Sequence, residues 1–314
     1  MKTPSPKLKP IISLSLLLVI AILFGYYISQ HISDFKALRL VNPIFIVILG
    51  VITLLSSTFN GMITDKLVSA FGIKLKFKEW FGLSVVTTFY NIITPFRGGM
   101  AARAVYLKKK HNFPYTDFLA SLAGTYTMSF LIAGFFGLIS IYFLYVQMKI
   151  FNPIILAFFL AFFIPLLAVV ISSPKFPETK SKLINKFIRV MNGWHLIHKN
   201  RKLVLTVAVI ASIQLFIGAF GAIASYYIFG IHISLAQAIF ISCFGTFGIL
   251  ISITPAGLGI QEAVSVFSAL VIGITPTQAI SVAILNRAVT MIIMFVLGPI
   301  FSYILLKSHK QKDI

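Results

Sequence analysis

Between Trp80 and Leu107 the chain reads WFGLSVVTTFYNIITPFRGGMAARAVYL, an apolar run interrupted by Thr94-Pro95-Phe96-Arg97-Gly98-Gly99. Proline removes a helix donor and clashes with the preceding turn, and the two glycines beyond it complete the break. The run predicts two half-helices around a non-helical tip. A second run, from about Leu235 to Ile272, is broken in the same way by Thr254-Pro255-Ala256-Gly257-Leu258-Gly259. Ile93 to Gly99 aligns with Ile253 to Gly259 at an offset of 160, and a long apolar segment follows each, from near Pro114 and Pro276, at an offset of 162. The two halves form an internal repeat.

Outside the broken runs, unbroken apolar segments lie at about 10–30, 43–63, 118–147, 152–172, 203–230 and 277–306. Each is long enough to cross a hydrocarbon core of about 30 Å at about 1.5 Å per residue. Of the 314 residues, 58% are hydrophobic and 11% charged, and the mean hydropathy is +0.97. These values exclude soluble enzymes, nucleic-acid binders and disordered regulators. The first segment follows Lys2, Lys7 and Lys9, exceeds a signal-peptide core in length and shows no small-residue cleavage site. It is expected to be a retained helix. Cys243, the single cysteine, excludes an internal disulfide and a cysteine metal cluster, and its apolar surroundings predict a buried thiol.

Charge sets the expected orientation. Lys and Arg number 27 against 7 acids, a formal net charge of +20. With both broken runs entering and leaving on one face, 23 of the cations lie on one side and only Lys36, Arg39 and Lys149 on the other, with Arg287 inside a helix. If the first run crossed instead, Arg103 and Lys108 to Lys110 would lie outside and the pattern would collapse. The expected fold is therefore all-α: a polytopic membrane protein with six full transmembrane helices plus two re-entrant helical hairpins in an inverted-topology repeat. The expected location is the cell inner (cytoplasmic) membrane, multi-pass, with both termini cytoplasmic. The whole of 1–314 reads as one domain, with a first repeat at about 43–147, a second at about 203–306 and a basic loop at 173–202. In that loop Leu183, Ile184, Phe187, Met191 and Trp194 recur at helical spacing between Lys182, Lys186 and Arg189. The pattern fits an amphipathic helix on the cytoplasmic surface, or a flexible basic loop that sets topology.

Inverted repeats place a substrate site where broken helices meet near the midplane. Pro95 and Pro255 mark the breaks. Gly98 and Gly99 open one half-helix and Gly257 and Gly259 the other, so free N–H groups there are expected to favour an anion. An ionisable residue in a span costs about 2.5–3.5 kcal/mol and is a functional candidate by default. Arg287 lies about ten residues into the last span, with Glu262 as its natural counter-charge. The pair either fixes the second hairpin or lets Arg287 engage a lipid phosphate. Arg97 and Arg103, at the tip and on the exit half of the first hairpin, have few acids to neutralise them, and guanidinium suits phosphate. Asn60, Asn91 and Asn286 supply polar support, either bonds to a ligand or partners for backbone freed at the breaks. No HExxH, P-loop, GxSxG or paired-carboxylate constellation occurs, and His195 and His198 lack further ligands. No catalytic residue, metal or cofactor is expected.

The segment Asn91 to Gly99 with Arg103-Ala104-Val105-Tyr106-Leu107 resembles the first signature of the lysylphosphatidylglycerol synthase transmembrane (flippase-like) family. Thr254 to Glu262, followed by Asn286-Arg287 and Gly298-Pro299, resembles the second. The resemblance covers about 10–306. It implies an inner-membrane protein that handles anionic or isoprenoid phospholipids. Two departures stand out: Met100 replaces a Glu common in the family, and Gly124-Thr125-Tyr126 replaces an acidic–Arg pair. The 314 residues leave no room for a soluble aminoacyl-transferase domain, so lipid lysinylation by this chain is not expected. The leading expectation is a lipid translocase, not an enzyme, whose partners are membrane lipids, either anionic phospholipid or polyprenyl-phosphate lipid. A second is a non-transporting scaffold that presents lipid to a partner glycosyltransferase. A third, an intramembrane enzyme using Glu262 as acid/base, lacks a nucleophile or metal.

Overall fold

The apolar runs become helices where their starts carry capping chemistry. Asn152 accepts from the Ile154 and Ile155 N–H groups ahead of Pro153, and Asn200 accepts from Leu203. Ser234 and Gln237 form a reciprocal capping box, as do Thr275 and Gln278. Such caps satisfy donors that the first helical turn otherwise leaves unpaired. The computed structural model describes residues 26, 29, 30, 33, 39–173, 175–177, 179, 182–251, 254 and 257–310. Among them every regular element is helical.

The helices are α1 (Phe45–Ser69), α2 (Phe77–Ile93), α3 (Gly98–His111), α4 (Tyr115–Met148) and α5 (Pro153–Ser172). They continue as α6 (Lys182–Lys199), α7 (Arg201–Tyr227), α8 (Leu235–Gly248), α9 (Ile260–Val271) and α10 (Pro276–Lys310). Among the described residues, five helices, α1, α4, α5, α7 and α10, are long and apolar enough to cross a membrane. The chain is an all-α, multi-pass membrane protein. The expected span at 10–30 lies outside the described residues apart from 26, 29 and 30, and Pro255 lies outside them too.

Both broken runs fold into paired short helices. Thr94 is extended, as a residue before proline must be, and Pro95–Arg97 forms a single tight turn. Phe96 and Arg97 then take left-handed backbone, φ 53° and 57°, which costs about 1–2 kcal/mol per residue without glycine. The chain reverses there, and α3 packs back along α2. In the second run α8 ends in a turn at Ile249–Ile251, and α9 packs back on α8.

The order long helix, two paired short helices, long helix thus occurs twice, as α1–α4 and α7–α10. The packing follows the same exchange: α1 lies against α7, α2 against α10, and α8 against α4. Glycines admit the close approaches. A Cβ on Gly298 would collide with Phe89, so α2 and α10 meet there. The main core, which includes Phe130, Phe159, Phe240, Cys243 and Phe247, joins α4, α5, α7, α8, α9 and the start of α10.

One expectation is met by a different partner. The segment at 182–199 is a helix, but Ile188, Trp194 and Ile197 are buried. Trp194 and Ile197 join Ile63, Leu67 and Met128 in a core cluster. A Cβ on Gly193 would strike Ala120. That part of its apolar stripe is covered by α1 and α4 rather than left free for a lipid surface.

Candidate functional site

The two hairpin tips converge on two neighbouring polar cavities. One, about 300 Å³, lies between α3 and α4 and is lined by Arg97, Met100, Arg103, Thr125, Tyr126 and Asn60, among others. The second, about 460 Å³, lies toward the second hairpin and is lined by Asn91, Gly257, Gln261, Glu262, Asn286 and Arg287, among others. Arg97, Gly245 and Ile249 belong to both walls. Arg97 therefore stands at the partition.

Arg103 is 5% exposed. Its Nε donates to Thr87 Oγ1 at 2.9 Å, Nη1 to Thr64 Oγ1 at 3.0 Å and Nη2 to Asn60 Oδ1 at 3.4 Å. All three acceptors are neutral. Arg97 donates from Nη1 to the Tyr126 hydroxyl, and its guanidinium lies 5.6 Å from the centre of the same ring. Among the described residues no carboxylate lies within ion-pair reach of either arginine. A buried charge without a counter-charge is expensive. Arg103 is such a charge, and with half-buried Arg97 beside it the cavity has a field that favours an anion.

The second cavity is balanced differently. Arg287 Nε pairs with Glu262 Oε1, and the side chains are 18% and 9% exposed. Glu262 Oε2 also accepts the Gly259 N–H at 2.6 Å, so one carboxylate caps α9 and ties it to α10. The first half has no counterpart. At the helix offset of 162, Arg287 corresponds to Thr125. Accordingly α9 packs closely on α10, while α3 barely touches α4. The smaller cavity fills the gap that the ion pair closes in the second half.

The sequence-derived residues divide into two groups. Arg97, Arg103, Arg287, Glu262, Asn60, Asn91, Asn286 and Gly257 line the polar cavities. Gly98, Gly99 and Gly259 are not among the residues lining either. The expectation of free donors at the half-helix starts is corrected for two of them: Gly99 N–H is taken by Asn91 Oδ1 at 3.0 Å and Gly259 N–H by Glu262. The glycines serve packing instead, since a Cβ on Gly99 would run into the Thr87 carbonyl and one on Gly98 into Thr94. Asn286 accepts from Ser225 at 2.7 Å, which orients it beside Arg287. Pro95 begins the first break as expected.

Sequence reading missed the residues that hold the arginines, Thr64, Thr87 and Tyr126. It also missed Glu79. This buried carboxylate stands where α2 begins and α3 ends. It accepts from the Lys76 N–H at 2.9 Å and the Tyr106 hydroxyl at 3.0 Å, contacts His111 Nε2 at 3.0 Å and pairs with Lys110 at 3.2 Å. Burial pushes its carboxyl up, but the backbone donor, His111 and Lys110 outweigh that and hold it down to about 2. Lys110 is thus drawn inward rather than left as a free surface cation. The sole acid between Asp65 and Asp117, facing the basic run at 108–111, was the available signal.

Residues 11–298 match the family described as the lysylphosphatidylglycerol synthase TM region. The chain is also similar to UPF0104 membrane protein MJ1595 of Methanocaldococcus jannaschii, at 23% identity over 95% of this chain and 96% of that protein. The chain belongs to the lysylphosphatidylglycerol synthase transmembrane-region family.

Proposed function

We propose that this family member is a translocase for lipids with an anionic phosphate headgroup, anionic phospholipid or polyprenyl-phosphate lipid. The observation that carries the reading is the pair Arg97 and Arg103, which line one cavity without a carboxylate among the residues of its wall. A phosphate there would supply the missing charge, and guanidinium groups bind it through paired N–H donors. Arg97 also faces the larger cavity, where Arg287 and Glu262 stand. A headgroup passing from one to the other would exchange Arg103 for Arg287 while keeping Arg97. The hydrocarbon chains would remain in the bilayer.

The two sets α1–α4 and α7–α10 support reading the hairpins as re-entrant halves of an inverted-topology repeat, which suits alternating access around a fixed site. The distribution of Lys and Arg supports a cytoplasmic membrane location with both termini inside. The protein acts in this reading as one domain, without catalysis or nucleotide hydrolysis, and moves lipid down a gradient.

The test is transbilayer movement of fluorescent phosphatidylglycerol and of a labelled polyprenyl phosphate in proteoliposomes without nucleotide. Wild type is expected to move one or both, and Arg97→Gln and Arg287→Gln neither. Equal movement in wild type and variants overturns the reading. No movement by wild type, with lipid retained in native mass spectrometry, replaces it with a lipid-presenting scaffold.

A further inference from the structure

The outer side of the second hairpin carries a third concavity, different in kind. Its volume is about 630 Å³, and its wall holds five phenylalanines, Phe158, Phe162, Phe244, Phe247 and Phe267, with aliphatic residues and glycine completing it. Leu250, Ile251 and Phe267 on its rim are about half exposed. Such a surface offers a ligand dispersion contact and almost no hydrogen bonding.

One helix separates this groove from the larger polar cavity. On α9, Gln261, Glu262 and Ser265 face the cavity. Ile260, Ala263, Val264 and Phe267 face the groove, an i, i+3, i+4, i+7 stripe. Behind them α8 and α9 touch: a Cβ on Gly248 would lie 3.2 Å from Val264 and 3.3 Å from Gln261. Ile249, Thr254 and Gly257 line the cavity, while Leu250, Ile251 and Gly259 line the groove.

We infer that the groove is the seat of a hydrocarbon chain belonging to the lipid whose phosphate occupies the polar cavities. The inference rests on the proposed headgroup site and adds a second point of recognition. The lipid straddles the second tip, with its phosphate beside Arg97 and Arg287 and its chain against the phenylalanines. Groove and cavity share α9 as a common wall, which sets an apolar and a polar site one helix apart, and this selects a lipid over an unrelated apolar partner. A chain held there also accounts for the division of α9 into one polar and one apolar face, both concave.

The test uses the full chain in phosphatidylcholine nanodiscs doped with photoactivatable lipids that carry a diazirine near the chain end. Three probes are compared: phosphatidylglycerol, a polyisoprenyl phosphate, and phosphatidylcholine as the bulk-lipid control. An anionic probe is expected to label 244–251 and 260–267 about tenfold above the control, a difference of about 1.4 kcal/mol in preference. The stronger of the two anionic probes identifies the chain as acyl or prenyl. Ala263→Trp, which fills the groove, is expected to remove this labelling while native mass spectrometry still shows the anionic headgroup lipid retained. Equal labelling by phosphatidylcholine, or labelling unchanged by Ala263→Trp, overturns the groove. Arg103→Gln separates the two readings: retention of anionic lipid unaffected by that change overturns the headgroup site, whatever the labelling map.

Discussion

Arg97 reaches across the gap between α3 and α4 to the hydroxyl of Tyr126, the neighbour of the position that corresponds to Arg287 in the second half. A neutral phenol thus holds a cation where the other half has an ion pair. Tyrosine can anchor a guanidinium by hydrogen bond and ring face but cannot cancel its charge. The two hairpins are therefore alike in backbone and unlike in electrostatics.

This asymmetry makes Thr125→Glu informative, because Thr125 lines the same cavity as both arginines. A carboxylate there would meet Arg97 and Arg103 as an internal counter-ion. Thermal stability is expected to rise, since buried Arg103 and half-buried Arg97 gain a partner. Movement of anionic lipid is expected to fall about tenfold or more, since the site is self-occupied. Dye-monitored unfolding and the proteoliposome assay read the two effects separately. Lost stability together with unchanged transport would contradict the charge argument.

Arg103→Gln probes the same cavity from the other direction. Among the described residues the buried guanidinium donates to Thr64, Thr87 and Asn60, and the hydroxyls can re-orient when it leaves. Removing a poorly compensated charge relieves desolvation. The melting temperature is expected to stay within about 2 °C of wild type or to rise, while anionic lipid transfer drops. An ordinary structural arginine would show the reverse.

The backbone plan was legible because its causes are local. Pro95 and the glycines after it can only break a helix, and runs such as 118–147 are too long and apolar for anything but a span. The three arginines and Glu262 were legible because charge in an apolar run is costly. Of the neutral residues that hold them, Asn60 was legible and the others were not. Thr64 and Thr87 look like any polar residue in a helix, and only the packing of α1, α2 and α3 aims both at Arg103. The half-helix starts looked like donor clusters. Which side chain satisfies each donor, Asn91 for Gly99 and Glu262 for Gly259, depends on how α2 and α9 are placed.

Glu262→Gln should behave unlike Arg103→Gln. It leaves Arg287 without its carboxylate while the Gly259 N–H keeps an oxygen to bond. Breaking a buried pair by removing one partner costs about 3 kcal/mol. The double change Glu262→Gln with Arg287→Gln is expected to recover part of that loss, because the cation leaves together with its counter-charge. A double-mutant cycle on unfolding in detergent measures the coupling. Additive losses would mean that the pair is not coupled.

The mouth of the first hairpin should respond to acid. Glu79 titrates at about 2 when folded, below its ordinary 4.5, so the unfolded chain binds the proton more readily. Its contribution is full above about 4.5 and is lost as pH falls from there toward about 2. Glu79→Gln is expected to lower the melting temperature at pH 7 and to flatten its decline between pH 5 and pH 3. Identical pH profiles for wild type and variant would remove Glu79 from this role.

Gly99→Ala is expected to be the most disruptive small substitution in the first hairpin. The added methyl group points at the Thr87 carbonyl, which is backbone and cannot rotate away. Relief requires α3 to move off α2, and that movement breaks the Gly99 to Asn91 bond and displaces Arg103 from Thr87. Overpacking of this kind costs about 1–3 kcal/mol even where neighbours yield. Here the loss extends to a buried hydrogen bond and a buried cation. Gly72→Ala is the control: a Cβ there meets nothing within 4 Å, and the positive φ of that glycine, 84°, adds only backbone strain of about 1 kcal/mol. Fluorescence-detected size-exclusion with a thermal ramp compares the two. Gly99→Ala should lose the monodisperse peak at a markedly lower temperature, and parity between them would mean that α2 and α3 are not held at the distance this packing requires.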